Sequence, residues 1–212
     1  MATLESILPL IQPHIPGCPE SIALDAIRNA CIRFCKDTRL IRETLPADDI
    51  ISTVDDYTMT ASLNNDIVGI VHFLYDEREL PGHTEEELDI IDNGWRTADP
   101  GEATAYMSIS PNRFKLNRVP DETIVGGLIV RIATRPTDTA TEVNDILFND
   151  WRETIKYGAL SELLEIPEKL WSDMKQSIWY GKRFNFGIQS GKAQSVKGNL
   201  KKSTGAVMRS WT

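Results

Sequence analysis

Residues 143–187 read VNDILFNDWRETIKYGALSELLEIPEKLWSDMKQSIWYGKRFNFG, and this stretch decides the fold. Its first half repeats apolar side chains every four residues, on one face of a helix: Leu147, Trp151, Ile155, Ala159 and Leu163. Ile166-Pro167 ends that helix, because proline lacks the amide hydrogen that a helix interior needs. A second helical series follows from Glu168 onward and comprises Trp171, Met174, Ile178, Gly181 and Phe184. The stretch therefore predicts a helical hairpin.

A third helix is predicted upstream, over residues 19–42. Its apolar stripe consists of Ile22, Ala23, Ala26, Ile27, Ala30, Cys31 and Phe34. Pro19 suits the first turn of a helix, where its missing amide hydrogen costs nothing, and Pro46 marks the limit at the other end. We expect this helix to pack against the hairpin.

The residues between these helices change to the short period of β-strands. Four segments are rich in β-branched or aromatic residues and are separated by turn formers: 57–62, 67–75, 103–109 and 124–133. Leu63-Asn64-Asn65-Asp66 predicts a hairpin between the first two strands, since asparagine tolerates left-handed backbone. Gly126-Gly127 predicts a bend or bulge near the start of the last strand. Residues 85–91 fit one or two helical turns.

These patterns together predict an α+β fold. A helical bundle is expected from residues 1–45 and 140–187, with a small β-rich domain inserted at 46–139 and an extended basic C-terminal arm at 188–212. The arm is rich in glycine, serine, lysine, glutamine and asparagine. It cannot bury enough apolar surface to offset its own ordering entropy, so we expect a partner to order it.

Charge is segregated along the chain, whose net charge is −8. No acidic residue follows Asp173, and the basic residues from there on include Lys182 and Arg183 before the arm. We predict that the arm is a partner interface, in which Val207, Met208 and Trp211 are apolar anchors between positive charges. The candidate interface residues are Lys192, Lys197, Lys201, Lys202, Val207, Met208, Arg209 and Trp211. Acidic protein surfaces are the favoured partner, and DNA phosphates are the alternative.

The composition predicts a soluble protein made in the cytoplasm. There is no run of eighteen apolar residues, and the first fifteen residues are interrupted by Glu5, Pro9 and Pro13, unlike a signal peptide. Three cysteines suit a reducing compartment better than a disulfide framework. No membrane partner is expected.

Residues that could carry chemistry do not form a recognisable motif. His14 and Cys18 with Cys31 and Cys35 are possible zinc ligands, but the last two lie one helical turn apart and Cys31 belongs to an apolar stripe. Buried thiols are therefore the favoured interpretation. The pairs at 48–49 and 55–56, and Asp89 with Asp92, are expected to be solvated carboxylates. His72 and His83 are expected on a strand surface and in a turn. We predict no catalytic residues, metal or cofactor.

The order of helix, β-rich insertion, helical hairpin and polar tail resembles the head-to-tail connector, or adaptor, proteins of tailed bacteriophages. Residues 143–187 are similar to that family's pattern "gAl..Ll..p", a proline break and "W.d...a..y...F..g". Upstream, ELDIIDNGW at 87–95, AYMSISPNRFKL at 105–116 and VRIATRPT at 130–137 fall where the family has a tryptophan, a tyrosine-containing strand and a strand ending in proline.

This resemblance implies a structural virion protein at the neck of the particle. It implies a homo-oligomeric ring of twelve copies that joins the portal protein to the tail nozzle or tube proteins, with DNA passing through the lumen without sequence-specific binding. Another neck ring, such as a head-completion or tail-terminator protein, is the related alternative. A nucleic-acid-binding protein that uses the basic arm is the alternative of a different class, and a hydrolase that uses the carboxylates is the weakest.

Overall fold

The computed structural model describes residues 1–198. Its helices are α1 (Leu8–Ile11), α2 (Glu20–Thr38), α3 (Glu85–Ile91), α4 (Asp145–Asn149), α5 (Arg152–Glu165) and α6 (Met174–Lys197). Its strands are β1 (Ala2–Thr3), β2 (Arg42–Thr44), β3 (Asp48–Ile50), β4 (Asp56–Thr58), β5 (Asn65–Tyr75), β6 (Arg78–Glu79), β7 (Tyr106–Ser110), β8 (Arg113–Leu116), β9 (Ile124–Pro136) and β10 (Glu142–Val143). The predicted α+β class is confirmed.

Helix α2 follows the apolar stripe that the sequence contains. Its buried residues recur at steps of one, three and four: Ala23, Ala26, Ile27, Ala30, Cys31, Phe34, Cys35 and Thr38. The helix ends four residues earlier than predicted, because Arg39 takes a left-handed conformation with φ of 49° and its amide still bonds to the Cys35 carbonyl oxygen. Pro19 lies at the N-cap, just before the first turn.

The predicted hairpin forms from α5 and α6, which pack along each other. Its first helix is interrupted, since α4 ends at Asn149 and α5 starts at Arg152. Its second helix begins at Met174, six residues later than predicted, where the Asp173 carboxylate accepts a hydrogen bond from the Gln176 amide.

The predicted buried face of α6 was partly wrong. Met174 and Ile178, which we expected to face α5, are 56% and 54% exposed. The buried residues of α6 are instead Ser177, Tyr180, Phe184, Gly187, Ile188 and Gly191. This set also keeps helical spacing, so periodicity alone did not choose between the two faces. Its Gly187 and Gly191 let α6 approach Thr154 of α5 and Thr38 of α2 closely.

The prediction of an extended arm was wrong for residues 188–197. Residues 188–197 continue α6 as helix, with Ile188 and Gly191 buried. The absence of a side chain at Gly191 lets α6 lie against α2, since a Cβ there would come within 2.7 Å of Thr38 Cγ2 and 3.0 Å of Phe34 Cζ. Packing on α2 therefore orders a segment whose composition predicted no core of its own. The remainder of the predicted arm, 199–212, lies outside the described residues.

All strand pairs are antiparallel, and the largest sheet is built around β9. Its order is β2-β9-β5-β6, and β3 also pairs with β9. A separate sheet has the order β4-β8-β7, and β1 pairs with β10 beside the helices. The predicted hairpin at 63–66 was wrong, because β4 pairs with β8 and β5 pairs with β9. A turn is nevertheless present there, with Asn64 at a φ of 64°.

The buried apolar residues form two main cores. One joins α1, α2, α5 and α6, and includes residues from Leu4 to Ile41 and from Val143 to Ile188. The other lies between the two larger sheets, where Phe73 stacks on Tyr106 at 4.4 Å and Tyr57 on Phe114 at 5.4 Å. The predicted bulge is present, since Gly126 has a φ of 65° and the register of β3 on β9 shifts beside it. The domain boundaries themselves stay a prediction.

Within residues 1–198, no helix has both the length and the apolar character needed to cross a membrane.

Candidate interaction surface

Helix α6 carries a continuous exposed stripe, opposite the residues that pack on α2 and α5. We call this stripe the α6 outer face; its large side chains are Met174, Lys175, Ile178, Trp179, Lys182, Arg183, Phe186, Lys192, Val196 and Lys197. At 1.5 Å per residue, the 24-residue helix extends the stripe over about 36 Å. The stripe therefore offers a long surface on a rigid element.

Apolar side chains on the α6 outer face are unusually exposed. Phe186 is 73% exposed and Val196 is 85% exposed, in addition to Met174 and Ile178. Isolated exposed apolar residues are common, but Met174 and Ile178 lie one helical turn apart beside Trp179, and clustered apolar side chains are typical of interaction sites. The α6 outer face therefore has the apolar component of an interface.

Trp179 is the aromatic centre of this surface. Its side chain is half exposed, and its ring contacts Tyr180 edge-on at 4.9 Å and Tyr157 edge-on at 6.1 Å. The guanidinium carbon of Arg183 lies 5.0 Å from the centroid of the indole ring, a cation–π distance. Because these contacts hold the indole before any partner arrives, Trp179 loses little conformational entropy on binding, as expected of an anchor residue.

The charges on the α6 outer face all have the same sign. Its cations are Lys175, Lys182, Arg183, Lys192 and Lys197. None of the five forms an ion pair within the part of the chain that the structure describes, and α6 contains no acidic residue. The face therefore attracts a negatively charged surface or ligand.

The last turn of α6 is attached to the sheet by Arg42. Its guanidinium donates hydrogen bonds to the carbonyl oxygens of Ser195, at 2.7 Å, and Arg39, at 3.1 Å. Burial and the nearby Arg131 lower the pKa of the Arg42 guanidinium. A cation at the C-terminus of a helix interacts favourably with its unpaired carbonyls. Arg42 thereby holds the helical turn that carries Lys197.

Two of the eight predicted interface residues fall on this surface. Lys192 and Lys197 are exposed on α6, in a helix rather than an extended arm. The other six lie outside the described residues: Lys201, Lys202, Val207, Met208, Arg209 and Trp211. The sequence analysis did not identify Ile178, Trp179 and Phe186 as interface residues. The signal was a second helical stripe, formed by these three residues beside the stripe of Tyr180, Phe184 and Ile188 that proved to be buried.

A second exposed surface, of opposite charge, lies on α3. Thr84 and Glu87 form a capping box at its start, and Leu88 is buried against Trp95 and Ala105. Ile90 is 84% exposed and Ile91 is 64% exposed. We define the α3 outer face as Glu86, Glu87, Ile90 and Ile91, all of which are exposed. It combines carboxylates with large apolar side chains.

Asp55, Asp56 and Asp89 are paired with neighbouring side chains within the β-rich part. Asp55 pairs with Lys115 at 3.1 Å, and Asp56 pairs with Arg113, whose hydrogen bonds lower the pKa of that carboxyl. Asp89 accepts hydrogen bonds from Trp95 and Arg96, and these lower its pKa. These carboxylates therefore stabilise local structure and are not arranged as an acid–base pair.

A groove on the β-rich part is lined by Arg39, His83, Glu87, Tyr106 and Ser108, among others. His83 lies 3.5 Å from the Glu87 carboxylate, and the Ser108 hydroxyl donates to the Ser110 carbonyl oxygen. A hydroxyl nucleophile needs a base within hydrogen-bond reach, whereas the Ser108 hydroxyl donates its hydrogen bond to a backbone carbonyl oxygen and not to His83.

Among residues 1–198, no group of three or more histidine, cysteine, aspartate or glutamate side chains is placed to hold a metal ion.

The prediction that Cys31 and Cys35 are buried thiols is confirmed. Both have 0% exposure in the helical core. Burial raises the pKa of the Cys35 thiol to about 12, and burial together with Cys35 raises the pKa of Cys31 well above its usual value. Burial also raises the pKa of Cys18, whose side chain is partly exposed. At neutral pH, therefore, only a small fraction of each of the three cysteines is in the reactive thiolate form.

We expect iodoacetamide at pH 8 to alkylate at most Cys18 in the folded protein, since a raised pKa and burial both suppress thiolate attack. Unfolding in guanidinium should expose all three cysteines. Intact-mass spectrometry counts the adducts, and peptide mapping locates them. Alkylation of Cys31 or Cys35 at the rate of Cys18 in the folded protein would contradict the closed packing of α2.

No protein-family model matches this chain, and no curated protein is significantly similar to it in sequence.

Proposed function

We propose that this chain is a structural subunit of a tailed-phage particle, an adaptor that forms a ring between the portal protein and the tail. The observation that carries the proposal is the α6 outer face, which combines exposed apolar side chains with five cations on one rigid helix. Among residues 1–198, these cations have no ion-pair partner. A surface of this composition binds another protein surface that is both apolar and acidic. The resemblance of 143–187 to phage adaptor proteins supports the same function.

The distribution of charge supports a role as part of a DNA conduit. The net charge is −8, and the cations of the C-terminal region are confined to one helix face and the residues beyond it. Acidic surface elsewhere on the chain repels DNA phosphates. A lumen lined by such acidic surface would let the duplex pass without binding it tightly. The portal and tail proteins would occupy surfaces of the ring away from the lumen.

Cryo-electron microscopy of the phage neck tests this proposal together with native mass spectrometry of the full chain. We expect a closed ring of this chain at the head–tail junction, with mass corresponding to about twelve copies. A ring found instead at the tail side alone would identify a tail-terminator protein. Absence of the chain from purified particles would contradict the proposal.

A nucleic-acid-binding protein is the second candidate, because exposed Trp179 and Phe186 lie between cations as in surfaces that stack single-stranded bases. If all five cations of the α6 outer face neutralised phosphates of single-stranded DNA, the logarithm of the binding constant would fall with that of salt at a slope of about −3.5. Replacing Lys182 and Arg183 by alanine should then bring the slope to about −2.1. Fluorescence anisotropy across a salt series measures both slopes, and no binding at low salt would remove this candidate.

A further inference from the structure

We propose that the α6 outer face of one copy docks on the α3 outer face of the next copy around the ring. This inference rests on the proposed function, since it names the contact between neighbours within that ring. The two faces are complementary in charge, with lysine and arginine on α6 and Glu86 and Glu87 on α3. Both faces also expose large apolar side chains, which a contact between them would bury.

Neither face is suited to pairing with itself. Two copies of the α6 outer face would bring like charges together, because that face contains five cations and no carboxylate. Two copies of the α3 outer face would oppose Glu86 and Glu87 to the same residues. Like-charge contacts disfavour a twofold dimer through either face. A contact between two different faces is heterologous, and it builds a ring if the rotation closes.

A groove in the middle of α6 is the docking site that we infer, and its length matches that of α3. The seven residues of α3 span about 10 Å, and the segment of α6 from Ile178 to Phe186 spans about 12 Å. Trp179, Lys182, Arg183 and Phe186 line a shallow groove in this segment. This groove is the place for Ile90 or Ile91, with Lys182 and Arg183 beside the α3 carboxylates. Lys192, Val196 and Lys197 would stay available for another partner.

The test is an exchange of charge between the two faces. One variant is Lys182→Glu, and the other is Glu86→Lys, which leaves the capping box of Thr84 and Glu87 intact. Each variant alone should raise the concentration needed for ring assembly by about tenfold or more, because each opposes like charges at every interface. An equimolar mixture should restore assembly, since each copy then meets a complementary neighbour on both sides. The restored ring must alternate the two variants and contain an even number of copies.

Native mass spectrometry measures assembly of the full chain, and copies per particle are counted after the same variants are supplied in trans during phage growth. The second measurement covers a ring that assembles only on the portal. Lys36→Glu, an exposed charge reversal on α2, is the matched control and should assemble as the unaltered chain does.

The outcomes separate the two proposals. If both variants enter neck rings as well as the unaltered chain, the α6–α3 contact is wrong and the adaptor function stands. If each variant fails and the mixture also fails, the two faces do not meet each other, and the contact is again wrong. If the unaltered chain is absent from the particle, the adaptor function is wrong. Rescue by the mixture alone supports the contact.

Discussion

Replacing Phe34 by alanine should lower the free energy of unfolding by about 3–5 kcal/mol, the largest single-residue effect that we expect. Phe34 is fully buried on α2. Its ring lies 5.0 Å from the ring of Trp151 and against Gly191 of α6. Truncation would leave a cavity where three segments meet, and the surrounding backbone is too constrained by helix packing to fill it.

Urea denaturation followed by far-ultraviolet circular dichroism measures this change, with an unaltered slope as evidence that the denatured state is the same. Phe186→Ala is the matched control, because it removes the same atoms from a helix position that is 73% exposed. In the unassembled chain it should change stability by less than about 0.5 kcal/mol. Equal losses at the two positions would contradict the orientation of α6.

Replacing Gly158 by valine should destabilise the protein by about 2–3 kcal/mol, the second largest effect that we expect. A Cβ at Gly158 would lie 2.9 Å from the Cβ of Ala30 on α2 and 2.9 Å from the ring of Phe184 on α6. Ala30 has no rotamer that could move its Cβ away. The three helices must therefore separate to admit the new side chain, at the expense of core packing.

Gly181→Val is the control for this substitution, because it places the same side chain on a neighbouring helix. A Cβ at Gly181 would meet the Ser161 hydroxyl at 3.0 Å and otherwise only the Ser161 Cβ at 4.0 Å. The hydroxyl can turn away, and replacing glycine inside a helix recovers backbone entropy. We expect less than about 1 kcal/mol of destabilisation. Thermal unfolding of both variants gives the comparison, and equal melting temperatures would contradict the close approach at Gly158.

The elements with a strong period were predictable from the sequence. Helix α2 and strands β5 and β9 lie close to the expected positions, because long runs of regularly spaced apolar residues have one way to be buried. The bulge at Gly126 was also predictable, since glycine adopts its positive φ without steric penalty.

Strand pairing and the candidate surface were less predictable. The turn at Asn64 indicated a hairpin, but β4 and β5 enter different sheets because their partners, β8 and β9, come from much later in the chain. Lys192 and Lys197 were predicted as interface residues, but in an extended arm. They lie in a helix because Gly191 allows the end of α6 to pack on α2. Local sequence contains little information about contacts of this separation.

By itself, the sequence determined that the chain is an α+β protein with a helical hairpin, and that no acidic side chain follows Asp173. Every cation of α6 is therefore free of acidic neighbours on its own helix. Only the tertiary structure decided which side of α6 faces outward. Two overlapping helical stripes compete on α6, and the one with Tyr180, Phe184 and Ile188 packs on α2 and α5 because its glycines admit close contact. The other stripe, with Ile178, Trp179 and Phe186, is left exposed between the cations as the candidate interface.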